Sequence, residues 1–211
     1  MRADVAEMLE TLRGGGIHDE RVLAAMSTVP RELFVSAAHR AEAYADRALA
    51  IDCGQTISQP LIVAAMAQAL EIGDGERVLD VGTGSGYQAA VLAACGARVF
   101  GIERVPELVE AARKRLTGAG FDVDVHVGDG TRGLPDEAPF DAIAVAATAP
   151  WLPPALPRQL REGGRLVIPL HREGEEMDEL VRLRLIAGRW VTDSLGPCRF
   201  VPLIGDDAYT R

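Results

Sequence analysis

Residues 78–93, Val-Leu-Asp-Val-Gly-Thr-Gly-Ser-Gly-Tyr-Gln-Ala-Ala-Val-Leu-Ala, leave little choice of local structure. Val78, Leu79 and Val81 suit a parallel strand buried on both faces. Gly82, Gly84 and Gly86 permit positive φ and leave the backbone bare, so that a ligand can approach the main chain. From Tyr87 onward the residues favour a helix, whose first N–H groups would face whatever sits on the turn. The strand, turn and helix make a β-loop-α unit, the first part of an open α/β sheet.

The glycine spacing is G-x-G-x-G with Asp80 ahead of it. It is neither the G-x-G-x-x-G of a dinucleotide site nor a phosphate loop ending in Gly-Lys-Ser/Thr. An acid so close to the turn repels phosphate and favours a cation. S-Adenosylmethionine has an ammonium, a sulfonium and a carboxylate for the helix start. Without a ligand, the same residues would simply make a tight strand-to-helix turn. A second strand, Arg98–Glu103, ends in a carboxylate about one βαβ unit later, where such folds hold a ribose. Gly128-Asp129-Gly130 follows a third strand and would let a flat ring lie on the backbone while Asp129 accepts from an exocyclic amine; the same residues also favour an ordinary turn. Asp80, Gly82, Thr83, Gly84, Ser85, Gly86, Glu103, Asp129 and Gly130 are therefore the expected cofactor residues.

Around this unit the sequence predicts helices over 3–13, 19–26, 60–70, 86–95, 106–117 and 154–161. Strands are expected over 77–81, 98–103, 122–127, 140–146 and 164–169, with a hairpin of 180–186 and 189–194 and a last short strand at 199–203. This is a doubly wound, mostly parallel α/β sheet with an N-terminal helical layer and a C-terminal antiparallel hairpin. A chain of 211 residues suits one domain: residues 1–70 as helical layer and substrate-side segment, 71–170 as the cofactor-binding core, and 171–211 as the C-terminal strands.

The net charge of −9 argues against a nucleic-acid footprint and against an anionic membrane surface. No apolar run is long enough to span a bilayer, and the N-terminus lacks a signal-peptide pattern. Cys53, Cys95 and Cys198 are scattered and suit a reducing cytoplasm. His18, His39, His126 and His171 show no metal spacing, so no metal is expected.

Gly54-Gln-Thr-Ile-Ser-Gln-Pro60 crowds Gln55, Thr56, Ser58 and Gln59 ahead of a helix. Ser58 is a good N-cap for that helix, and this structural role competes with a functional one. The small residues Ala146–Ala149, including Ala147 and Thr148, either leave room for a substrate or serve close packing.

Taken together, Val29-Pro-Arg-Glu-Leu-Phe34, Gly54–Pro60, Leu79–Ala89, Gly128–Thr131, Phe140-Asp141 and Leu160–Pro169 resemble the protein-L-isoaspartate O-methyltransferase family over roughly residues 20–205. The Gly54–Pro60 segment is the specific part, since many methyltransferases share the glycine loop. The resemblance implies a class I methyltransferase fold, S-adenosylmethionine as cofactor and isoaspartyl residues of damaged proteins as substrates. It makes Ser58 the active-site serine and places Thr56, Ile57 and Ser58 along the cofactor and substrate cleft. Substrate contacts are expected from Gln55, Thr56, Ser58, Ala147 and Thr148. Cys53, Leu61, Thr148 and Ile204 depart from the family's usual residues on the substrate side. A monomer in the cytoplasm is expected. The alternatives are a carboxyl methyltransferase of a dedicated peptide-maturation pathway and a non-catalytic S-adenosylmethionine-binding sensor or scaffold.

Overall fold

The computed structural model describes residues 2–210. In chain order the elements are α1 (Ala3–Gly14), α2 (Glu20–Thr28), β1 (Leu49–Ala50), β2 (Thr56–Ile57), α3 (Pro60–Leu70), β3 (Arg77–Val81), α4 (Tyr87–Ala94), β4 (Arg98–Glu103), α5 (Pro106–Gly118), β5 (Asp124–Val127), β6 (Phe140–Val145), β7 (Leu160–Leu170), β8 (Asp178–Ile186) and β9 (Arg189–Cys198). Seven strands form one sheet in the order β5-β4-β3-β6-β7-β8-β9. The pairs from β5 to β7 are parallel, and β8 and β9 add antiparallel strands at the far edge. Strand order reverses between β4 and β6 on either side of β3. In open α/β sheets ligands bind at such a switch point, beyond the carboxyl ends of the strands.

Alternation along the strands divides the core between two faces. Val78, Val99, Val125, Ala142 and Val167 face one side, and the buried residues of all five α-helices join that cluster. Leu79, Val81, Phe100, Ile102, Ile143 and Leu166 face the other side. There the cover is coil and short turns, with Leu156, Ala147, Ala149, Leu203 and Ala208 among the buried residues.

The structure departs from three of these expectations. The helix expected over 154–161 does not form: the chain makes a 3-10 turn at Pro157–Gln159, and β7 begins at Leu160. Pro153, Pro154 and Pro157 lack the N–H groups that a helix there would use. The strand expected at 199–203 is instead a strip pinned through single bridges, Thr148 to Pro202 and Ile204 to Tyr209. Finally, Ser58 does not cap α3. Gln59 holds the cap position without a side-chain bond. Asp46 supplies the acceptor, taking the Leu61 N–H at 2.8 Å and the Gln59 amide at 3.4 Å.

Candidate active site

The loop after β3 has positive φ at each of its glycines: 79° at Gly82, 53° at Gly84 and 91° at Gly86. A side chain is strained in this region, which accounts for the G-x-G-x-G spacing. The turn is fixed from both sides. Gly82 N donates to Ile102 O at 2.9 Å, Thr83 Oγ1 to Asp80 O at 3.1 Å, and Gly84 N to Glu103 Oε2 at 3.1 Å.

Glu103, at the end of β4, also accepts from Val105 N through Oε1 at 3.0 Å. Each carboxylate oxygen thus has one backbone donor and one further acceptor site. The side chain is aimed and still able to take a pair of hydroxyls. Glu103 borders an open cavity that runs over Gly82, Gly84 and Gly130 to Gln55 and Thr56. Val201–Ile204 form its opposite wall.

Two smaller cavities continue from it. One runs along Thr83 and Ser85 to Ile57 and Ser58, and the other from Ser58 and Gln59 to Arg199, Phe200 and Val201. Thr56 and Ala146 border all three. Ser58 stands where the second and third meet. Among the described residues its hydroxyl has no hydrogen-bond partner, so it is available to a ligand.

Of the residues singled out in the sequence, Gln55, Thr56, Ile57, Ser58, Gly82, Thr83, Gly84, Ser85, Glu103, Gly130 and Ala147 lie on these walls. Asp80, Gly86, Asp129 and Thr148 lie behind them. Asp80 is wholly buried and accepts from Gln88 Nε2 at 2.8 Å through Oδ1. Its Oδ2 and the Gln88 Oε1 are buried without partners. Burial, helped by the nearby Glu103 charge, pushes the Asp80 carboxyl up to about 6 despite the hydrogen bond from Gln88. Gln88 lines the cavity that holds Ser58, so it stands between Asp80 and any ligand there.

The Asp129 carboxylate is turned toward the C-terminal strip. Oδ1 accepts from Thr131 N at 2.9 Å and Thr131 Oγ1 at 2.7 Å, and Oδ2 from Asp206 N at 2.9 Å. Partial burial raises its pKa, but these bonds outweigh burial and hold it below the usual carboxylate range. Thr148 fixes the same strip through its backbone: its N–H donates to Val201 O at 2.8 Å, and its carbonyl accepts from Leu203 N at 2.7 Å. Gln88, Arg104, Arg199 and the strip Phe200–Leu203 are wall residues that sequence reasoning missed, and Ile204, expected on the substrate side, continues that wall. Gln88 sits in the first turn of the glycine-loop helix, which is a usable signal; the others depend on tertiary placement.

These walls fit S-adenosylmethionine. The bare turn gives its methionine part access to the main chain, the unpartnered Gln88 Oε1 suits an ammonium, and Glu103 suits a ribose. The family model described as protein-L-isoaspartate(D-aspartate) O-methyltransferase matches residues 3–208. The chain belongs to this family. A protein-L-isoaspartate O-methyltransferase of Koribacter versatilis is 53% identical over 209 residues, covering 98% of this chain and 93% of its own. One of Roseiflexus castenholzii is 50% identical over 204 residues, covering 96% and 93%. Among solved structures, a putative protein-L-isoaspartate O-methyltransferase from Plasmodium falciparum in complex with S-adenosyl-L-homocysteine aligns with a TM-score of 0.82 at 28% identity, over 94% of this chain and 97% of that one. The class I methyltransferase fold, with its mostly parallel sheet and C-terminal antiparallel pair, is thus shared by family members.

Proposed function

We propose that the protein esterifies the α-carboxyl of L-isoaspartyl residues in damaged proteins and peptides, using S-adenosylmethionine. The observation that carries this reading is the position of Ser58: its unpartnered hydroxyl lies where the cavity of the glycine loop opens toward Arg199–Val201. Family membership supplies the substrate class.

When bound, S-adenosylmethionine supplies a methyl group on a sulfonium, which a carboxylate takes by displacement to leave a neutral thioether. A carboxylate is already ionised near neutral pH, so the protein needs no strong base. Its contribution is alignment and exclusion of water, which can amount to ~7–11 kcal/mol in well-oriented cases. Ser58 donates a hydrogen bond from its hydroxyl to the substrate carboxylate and orients it. Gln88 and Glu103 fix the two ends of the cofactor, with Asp80 holding the Gln88 amide. Gly130 lets the adenine ring lie close to the backbone, Thr148 holds Val201–Leu203 over it, and Asp129 anchors the strip further on through Asp206 N. No helix among the described residues is long and apolar enough to cross a membrane.

The methyl ester carries a better leaving group than the ionised acid. Attack on it by the following backbone nitrogen expels methanol and closes a succinimide, whose hydrolysis partly restores the aspartyl linkage. Incubating an L-isoaspartyl peptide with the protein and S-adenosylmethionine, then separating the products by chromatography, tests this. Succinimide followed by aspartyl peptide is expected; an unchanged peptide contradicts it.

A further inference from the structure

The Val29–Phe34 segment contributes no wall to the site, yet it places a cation in the interior beside it. Arg31 is fully buried. Its Nε donates to Ala43 O at 2.7 Å, and its Nη2 to the carbonyl of Ser58 at 2.8 Å. The guanidinium carbon lies 4.5 Å from the centroid of the Tyr87 ring. Phe34 meets the same ring edge-on, with centroids 5.7 Å apart. Tyr87 begins α4 immediately after Gly86 and borders the cavity that holds Ser58.

Among the described residues no carboxylate forms an ion pair with Arg31, and its Nη1 is buried without a partner. Burying an unpaired cation is costly, and an apolar side chain of similar volume generally packs there more favourably. Burial accordingly pushes the Arg31 pKa down. What an apolar residue lacks is the rigid planar fork, which can hydrogen-bond at its edge while stacking on an aromatic face.

That fork joins two parts of the site that are distant in sequence: the substrate-side segment, through the Ser58 carbonyl, and the glycine-loop helix, through Tyr87. Asp46 holds the next residues from another direction through the Gln59 amide and Leu61 N–H. Fixing the Ser58 carbonyl fixes the plane of the Ser58–Gln59 peptide, and so restrains the backbone from which the Ser58 side chain leaves.

We propose that Arg31 is a positioning residue that sets the Ser58 hydroxyl against the glycine loop and its ligand, with the Tyr87 ring as the platform. This rests on the reading of Ser58 as the group that holds the substrate carboxylate. Arg31 touches neither substrate nor cofactor. Its effect on the reaction passes through Ser58.

A double-mutant cycle in the full chain tests this. Arg31→Lys keeps the charge but loses the fork; Arg31→Gln keeps a planar donor and is read instead if the lysine variant does not fold. Each is made with Ser58 intact and with Ser58→Ala. The readouts are kcat and KM for methyl transfer to an L-isoaspartyl peptide and the Kd for S-adenosylhomocysteine. With Ser58 intact, Arg31→Lys lowers kcat roughly tenfold, the effect of a misplaced charge-assisted contact, while Kd stays within about twofold. In the Ser58→Ala background the same change costs less than about twofold, because residues that act through one another are not additive.

An equal loss of kcat in both backgrounds, or a loss confined to cofactor Kd, overturns the proposal while leaving the role of Ser58 intact. Ser58→Ala at the wild-type rate overturns both.

Discussion

The side-chain amide of Gln88 bridges a buried acid and the cavity: its nitrogen donates to Asp80 Oδ1 at 2.8 Å, and its oxygen is buried without a partner. Asp80 thus fixes which end of the amide is the nitrogen and leaves the oxygen as the free acceptor. Gln88→Leu removes an acceptor for the cofactor ammonium and also leaves Asp80 without its donor. Removing a hydrogen bond to a charged group costs about 1.5–3 kcal/mol, so calorimetry should show S-adenosylhomocysteine binding at least roughly tenfold weaker. Unchanged affinity would remove Gln88 from the cofactor site.

The raised pKa of Asp80, about 6, has two consequences with definite signs. In the ligand-free protein the folded state holds this proton more tightly than the unfolded chain, in which the carboxyl titrates near 4. The unfolded state therefore binds fewer protons between about pH 4 and pH 6, and this group's contribution to stability falls as pH rises through that window. Asp80→Asn should remove that component, seen as a difference between wild-type and variant denaturation curves across the window. For binding the sign is opposite. A ligand cation favours ionised Asp80, so S-adenosylmethionine affinity should rise with pH up to about 6 and then level. Asp80→Asn should flatten that profile as well.

Ser58→Ala should separate activity from stability. Because Asp46 and not Ser58 supplies the acceptor for the first turn of α3, loss of the hydroxyl removes no helix cap. Thermal denaturation should shift little. Methyl transfer should slow by roughly tenfold to a hundredfold, the kinetic equivalent of one hydrogen bond to a charged group. A large fall in melting temperature with unchanged turnover would return Ser58 to a structural role.

Asp129→Ala should act through the C-terminal strip. It strands the Asp206 N–H and frees Thr131, loosening the segment that continues from the cavity wall Val201–Ile204. Weaker cofactor binding and faster hydrogen exchange over residues 201–209 are expected together. Weaker binding without any change in exchange would instead point to direct contact between Asp129 and the adenine.

The parts of this protein that were legible in its sequence are those fixed by local rules. Val78–Val81, the three glycines and the helix after them follow from residue type and spacing, and Glu103 from the length of one βαβ unit. The C-terminal hairpin followed from the Ala187-Gly188 turn between the runs Leu180–Ile186 and Arg189–Ser194. What was not legible depends on residues meeting across the fold. The Ser58 cap reading failed because Asp46 arrives from an earlier turn to do that work. The helix expected at 154–161 does not form because Pro157 cannot supply an N–H inside it and the chain enters the β7 ladder at Leu160. Arg31, Gln88 and Arg199 could be placed near Ser58 only once the N-terminal layer, the glycine-loop helix and the C-terminal strip were packed together.

The most direct test of the account is transfer of a labelled methyl group from S-adenosylmethionine to two peptides that differ only in having L-isoaspartate or L-aspartate at one position. Base-labile methyl ester on the isoaspartyl peptide alone is the predicted result. Equal labelling of both peptides, or no labelling of either by protein that binds the cofactor, would contradict it.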